Sequence, residues 1–137
     1  MISFEASEVS IKQEPWGDVV ILGADEDSDP DKYLALQKKD SYDEQDIRLG
    51  INDVHIEVCG QGWGWYGNIA GFDLTRGRIF VQLSSEAAAE MEDDGKVEVT
   101  FSLDESTYAR LRAVLHRVFK GRSFFRDGTT ATKMSPT

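Results

Sequence analysis

The chain has 137 residues, 40% of them hydrophobic and 29% charged, enough for one domain with an ordinary core and an ordinary polar surface. No apolar run reaches the roughly 18 residues of a membrane span. The start, "MISFEASEVSIKQE", lacks the basic and continuous apolar regions of a secretory signal, so a cytoplasmic protein is expected. Cys59 is the single cysteine, which excludes an intrachain disulfide and a multi-cysteine metal cage. The net charge of −10 is unevenly placed: residues 1–60 hold 15 acids and 5 bases, whereas residues 61–137 hold 10 of each. A field of that sign repels nucleic acid and anionic membranes, and it speeds encounter with a basic partner.

In chain order, "ISFEASEVSI" alternates with Ile2, Phe4 and Ala6 on one face, then slips phase to Val9 and Ile11, which predicts a bulge or break near Ser7 and Glu8. "DVVILGA" is apolar on both faces and reads as a central strand. "DEDSDPD" is a turn of residues that bond their own backbone, and "KYLALQK" returns as the next strand. "YDEQDIRLGIN" is a loop or a single helical turn, and "VHIEVC" turns Val54, Ile56 and Val58 inward. A glycine-rich link follows, then strands around "IAGFDL" and "RIFVQL" joined by a "TRGR" hairpin. "SSEAAAEMED" predicts a short helix with a serine cap, and the strict alternation of "KVEVTFSL" predicts a half-covered strand.

"DESTYARLRAVLHRVFKG" is the clearest helix. Tyr108, Leu111, Leu115, Val118 and Phe119 form its apolar stripe, Asp104 its N-cap and Gly121 its C-terminal glycine, with Arg110 and Arg117 on the exposed side. Strands joined by short turns and ending in such a helix predict an α+β fold. The expectation is a mostly antiparallel sheet with a long amphipathic C-terminal helix and a short helix packed on one face. Residues 1–121 form the single domain, and residues 122–137, polar and aperiodic, form a flexible tail.

Four stretches imitate sites. Gly62, Gly64 and Gly67 have the G-x-G-x-x-G spacing of a dinucleotide loop, but no helix follows to receive a pyrophosphate, and Trp63 and Trp65 crowd the approach. What remains is a link carrying Trp63, Trp65 and Tyr66, either packed over an end of the core or used as a recognition loop. His55, Glu57 and Cys59 share one strand face; the H-x-E pair lacks the later P-C-x-x-C of a zinc deaminase, since no second cysteine exists, so no metal or other cofactor is expected. Asp25, Asp27, Asp29 and Asp31 resemble a calcium loop, yet Pro30 and Leu36 stand where glycine and glutamate are required. The run reads as a solvated acidic hairpin tip. After residue 106, seven bases face the single acid Asp127, and they are expected to pair across the fold with the acidic first half. No nucleophile motif accompanies His55 or His116, so no catalytic residues are assigned.

"DPDKYLALQK", "YDEQDIRLGINDVHIEV", "GWYGNIAGFDLTRGRI" and "VTFSLDESTYARLRAVLHRVF", in this order and spacing, resemble the Immunity protein 10 family of bacterial polymorphic toxin systems. The similarity runs from about Phe4 to Gly121. Its most specific piece is Asp43, Glu44, Gln45 and Asp46 followed by Leu49 and Gly50; in "YGNI", Asn68 replaces a glycine of the family pattern. The resemblance implies a non-enzymatic antidote that binds and blocks a cognate toxin domain, for which a nuclease with a basic cleft is one class that fits the acidic charge. Expected partner-binding residues are Asp25, Asp27, Asp43, Glu44 and Asp46, steering and anchoring, with Trp63, Trp65 and Tyr66 at the buried centre. The competing possibility is a small-molecule or glycan-binding module that stacks ligands on the aromatic loop.

Overall fold

A computed structural model describes residues 1–24, 32–59 and 63–129. Within them the α+β expectation holds, but the single expected sheet is two sheets of five strands each. The second sheet is a meander with every neighbour antiparallel: β2 (Glu8–Glu14), β3 (Gly17–Gly23), β4 (Tyr33–Lys39), β5 (His55–Val58) and β6 (Trp63–Tyr66). The first sheet runs β1 (Ile2–Glu5), β9 (Lys96–Thr100), β8 (Arg78–Leu83), β7 (Ile69–Thr75), β10 (Phe125–Asp127). Its two edge strands are parallel to their neighbours. Three helices complete the fold: α1 (Glu44–Arg48), α2 (Ser85–Met91) and α3 (Glu105–Val118).

The phase slip at Ser7 and Glu8 marks the place where the chain leaves one sheet for the other. Ala6 still donates its N–H to Thr100 O in the first sheet, at 2.8 Å, while Ser7 already donates to Gly23 O in the second, at 2.9 Å. The return is at Gly67 and Asn68, both in the left-handed region, with φ +79° and +63°. Glycine enters that region without penalty, and asparagine is the side chain that best tolerates it. The turn is pinned on both sides: Gly67 N–H reaches Val54 O at 2.7 Å, and Ser84 Oγ bonds Asn68 Oδ1 at 2.9 Å.

Inward residues of both sheets meet in one core. The rows Val20–Leu36–Ile56–Trp65 and Val97–Val81–Phe72 are buried, and the buried side of α3, Tyr108, Leu111, Val114, Leu115 and Val118, joins them. Val114 belongs to this side although the sequence stripe omitted it. Phe119 stacks on Phe72 and Phe125 of the first sheet, with ring centroids 4.6 and 5.4 Å away. Arg117, exposed as expected, also reaches Asp18 of β3 at 3.1 Å, tying α3 to the second sheet as well. Asp104 and Ser84 cap α3 and α2 as expected, accepting from Thr107 N and Ala87 N. Gly121, at φ +79°, lies two residues beyond the Phe119 C-cap and therefore turns the chain after the helix has already ended.

Two expectations are corrected. Part of the supposed glycine-rich link is a strand: Trp63–Tyr66 pairs in register with His55–Val58. And the chain after Gly121 is not all tail, because Phe125–Asp127 completes the first sheet beside β7. Phe124 and Phe125 pack on the core, Arg112 and His116 hold Asp127, and Tyr108 bonds Thr129. Residues 130–137 lie outside the described residues. Deleting everything after Gly121 should therefore lower stability by at least about 2 kcal/mol, the scale of losing partly buried phenylalanines. Equal urea midpoints for the full and the shortened chain would refute the structural role of β10.

Candidate functional site

The two sheets turn different outer faces to solvent. On the first sheet that face carries Ser3, Glu98, Phe80, Asp73 and Arg126 across the strands. Arg78 lies over the Phe80 ring at 4.9 Å and bonds Glu98 at 2.6 Å. On the second sheet the outer rows are Lys12, Val19, Gln37, His55, Tyr66 and Ser10, Ile21, Ala35, Glu57, Gly64. Both α2 and α3 approach this sheet from its core side, through Trp65 and Asp18, so neither covers the outer face.

Strand alternation sorts the aromatic stretch. Trp65 faces the core and donates its indole N–H to Glu90 of α2 at 2.7 Å. Trp63 lies on the same side, half-buried against the core. Tyr66 alone points out, edge-on to His55 with centroids 4.7 Å apart. The expected shared aromatic surface is thus split by the pleat, because successive side chains leave opposite faces of a strand. This also removes the stacking platform on which the glycan or small-molecule alternative rested. Tyr66 instead pairs across a small hollow of about 110 Å³ with Trp16, an aromatic from the β2–β3 turn that the sequence reading passed over. His55, Gln37 and Tyr42 form its walls, and burial pushes the Tyr42 hydroxyl pKa up, partly opposed by the Lys39 backbone.

Beside this hollow, the "DEQD" stretch forms α1. Asp43 Oδ1 accepts from Asp46 N at 2.8 Å, and Asp46 Oδ2 accepts from Asp43 N at 3.2 Å, a reciprocal capping box. Lys39 clamps the same carboxylate at 3.0 Å and, with the Asp43 backbone, holds the Asp46 pKa below the usual carboxylate range. The helix ends by Gly50 at φ +72°, where Gly50 N–H bonds Ile47 O and Ile51 N–H bonds Asp46 O. Asp43, Asp46 and Gly50 are thereby engaged in building the turn. Glu44, Ile47 and Leu49 are what it presents. Asp25 and Asp27 lie outside the described residues.

Exposure picks out the same region. Among the described residues, the large apolar side chains most open to solvent are Leu49 at 64%, Ile47 at 58%, Met1 at 55%, Tyr66 at 46%, Trp16 at 45% and Ile21 at 39%. All but Met1 lie on the outer face of the second sheet or at its α1 end. His55, Glu57 and Cys59 do not form a common cluster: Glu57 accepts from the Tyr33 hydroxyl, and Cys59, at φ +55°, leaves the strand's alternation and is buried. No three His, Cys, Asp or Glu side chains among the described residues are placed to share a metal ion.

A cleft of about 680 Å³ runs along α3 past Arg76, Tyr108, Arg112 and His116 to Thr129. Its cations are already engaged: Arg76 donates to Leu103 O and lies over Tyr108, while Arg112 and His116 pair with Asp127. Although burial opposes it, bonds from Thr129, His116 and Arg112 hold the Asp127 carboxyl well below the usual range. The basic C-terminal stretch thus pairs partly with its own acid and partly across the fold, through Arg117–Asp18 and Arg122–Asp53.

The family description of Immunity protein 10 matches residues 5–109. No curated protein and no solved structure matches the chain. No helix among the described residues is long and apolar enough to cross a membrane.

Adjacent substitutions in β6 should have opposite outcomes. Trp65→Ala should cost about 3 kcal/mol or more in urea denaturation, as for other buried aromatics, and Tyr66→Ala less than about 1 kcal/mol; similar losses at both positions would contradict the facing. Asp46 gives a pH signature. With its pKa depressed in the folded state, its contribution is complete above the unfolded carboxylate value near ~4 and disappears as pH falls through the lower folded value. The stability gap between the native chain and Asp46→Asn should therefore be constant from pH 8 to about 5 and close in stronger acid. A gap that widens in acid would exclude this clamp.

Proposed function

The chain belongs to the Immunity protein 10 family, and from that premise we propose that it is a non-enzymatic antidote that binds a cognate bacterial toxin domain in the cytoplasm. Neutralisation is by occlusion: the antidote covers the toxin's active site or a surface the toxin needs. The match over residues 5–109 carries this reading. The uneven charge supports it, because an excess of carboxylates confined to residues 1–60 favours a basic surface, such as the substrate cleft of a nuclease.

The contact residues proposed from the sequence separate into two roles. Glu44 and Tyr66 are exposed and serve as direct contacts, with Asp25 and Asp27 adding to the attracting field. Asp43 and Asp46 fix the turn that carries Glu44, and Trp63 and Trp65 fix the strand that carries Tyr66. An antidote of this kind needs no catalytic group, since inhibition follows from affinity and excluded access. Carboxylates remote from the final contact still speed encounter at low ionic strength, where the screening length is about 10 Å at 0.1 M salt and about 3 Å at 1 M.

The test is co-expression with the toxin C-terminal domain encoded beside this gene, followed by stopped-flow binding of the two purified proteins. Growth should be rescued, and the association rate should fall at least about tenfold between low and ~1 M salt, with dissociation changing less. Unrescued growth together with no complex at either salt would reject the antidote assignment for that pair.

A further inference from the structure

The outer face of the second sheet mixes Lys12, Ser10, Gln37, His55 and Glu57 with a cluster of apolar side chains that no described element covers. A solvent-facing antiparallel sheet normally alternates apolar-in with polar-out. The second sheet instead presents Val19, Ile21 and Ala35 side by side on β3 and β4, with Trp16 and Tyr66 flanking the hollow at one end. Ile47 and Leu49 stand beyond it on a helix whose capping, clamp and termination are all complete without them. The helix is attached to the same end of the sheet, since Asp40 N–H bonds Trp16 O at 2.8 Å and Lys39 of β4 bonds Asp46 of α1. A patch of this composition, rimmed by charge, has the anatomy of a protein contact: an apolar, aromatic centre and a polar border.

The border names the occupant. Around the α1 end, Asp40, Asp43 and Glu44 are exposed together with the free cation Arg48 of α1, while Lys39 is bound to Asp46, so the described border there is acidic on balance. At the far end, Glu8 of β2 is exposed and shares a hollow with Ile21 and Gly23. Carboxylates at both ends of an apolar face complement a partner whose contact patch is apolar at the centre and rich in arginine and lysine around it. Nucleic acid, which is basic nowhere, is repelled by the same border.

We propose that the outer face of β2–β6, from Ile21 to Tyr66 and extending onto Ile47 and Leu49 of α1, is the docking surface for a folded protein domain with a basic rim. The hollow between Trp16 and Tyr66 receives one protruding side chain of that domain. This rests on the antidote reading and specifies its surface. Trp63 and Trp65 take no direct part in the contact. The cleft along α3 and the outer face of the first sheet stay open to solvent in the complex.

Two measurements on the full chain with the neighbouring gene's toxin domain decide it. The first is hydroxyl-radical footprinting of the free protein and the complex. Trp16, Tyr66, Ile47 and Leu49 should lose at least about half of their oxidation, and Met1 and Phe80, on the first sheet, should lose none. The second is equilibrium binding of Tyr66→Ala, Ile21→Lys and Ile47→Lys, each confirmed folded by an unchanged thermal midpoint. Each should weaken binding by at least about 30-fold, the effect of losing a central contact residue, whereas Lys96→Ala on the first sheet should change nothing. Binding by the native chain with protection on the first sheet, or with all three variants at native affinity, would overturn this surface and leave the antidote function standing. Absence of binding by the native chain would instead strike the antidote reading itself.

Discussion

The chain changes sheet twice, and the second crossing, at Gly67 and Asn68, is the constraint on which the other features depend. Two consecutive left-handed residues redirect the backbone from β6 into β7, so that the sheets can face each other around one core. There is no room for a side chain at the first of them. A Cβ on Gly67 would lie 2.9 Å from Asp53 Oδ2, and Asp53 is fixed by Arg122 at 2.6 Å and by Val54 N at 2.7 Å. Asn68 is held from the other sheet by Ser84, which also caps α2. The crossing therefore links the α2 cap, the start of β7 and the β5 entry in one polar knot. Because β6 ends there in fixed phase, Trp65 must face inward and Tyr66 outward.

The same logic separates the two functions of α1. A five-residue helix has almost no intrinsic stability, since its nucleation cost is spread over very few bonds. It persists through a capping box at one end, a left-handed glycine at the other and a lysine from β4 clamping the carboxylate between them. Asp43, Asp46 and Gly50 serve the backbone, and their identity is dictated by it. Residues 44, 47 and 49 are free of that duty. A short helix stabilised wholly by its own ends is a suitable carrier for exposed apolar side chains, because replacing them disturbs neither cap nor clamp.

Much of this was legible in sequence where the signal is local. A continuous apolar run located the strand around Val20 and alternation those around Ile56 and Val97, serine and aspartate marked the caps of α2 and α3, and the phase slip at Ser7 located the first crossing. Partition into two sheets was not legible, because pairing partners such as Ile2 with Val97 and Phe125 with Phe72 are far apart in the chain and strand composition does not encode which neighbour a strand will take. β6 was hidden by its glycines, whose lack of side chains reads as a turn although Gly64 sits in a paired strand with His55 3.3 Å from where its Cβ would be. Cys59 was assigned to the face of His55 by parity, and a single positive φ undoes parity. At the candidate site, sequence reading named Glu44 and Tyr66, which the structure leaves exposed, but passed over Trp16, whose position after a proline in a two-strand turn carries no periodic signal at all.

The charge distribution acquires a structural meaning once the pairs are known. Arg117 and Arg122, from the half of the chain with no net charge, reach back to Asp18 and Asp53, and Lys39 takes Asp46. These three acids stabilise the fold, each as one half of an ion pair between separate parts of the chain. Among the described residues of the acidic half, Asp40, Asp43 and Glu44 near α1 and Glu8 and Glu14 at the two ends of β2 enter no ion pair. Keeping like charges together raises the energy of the isolated protein, and folding alone gives no reason to retain them. Their placement around the one apolar outer face is accounted for when the neutralising charges arrive on another molecule.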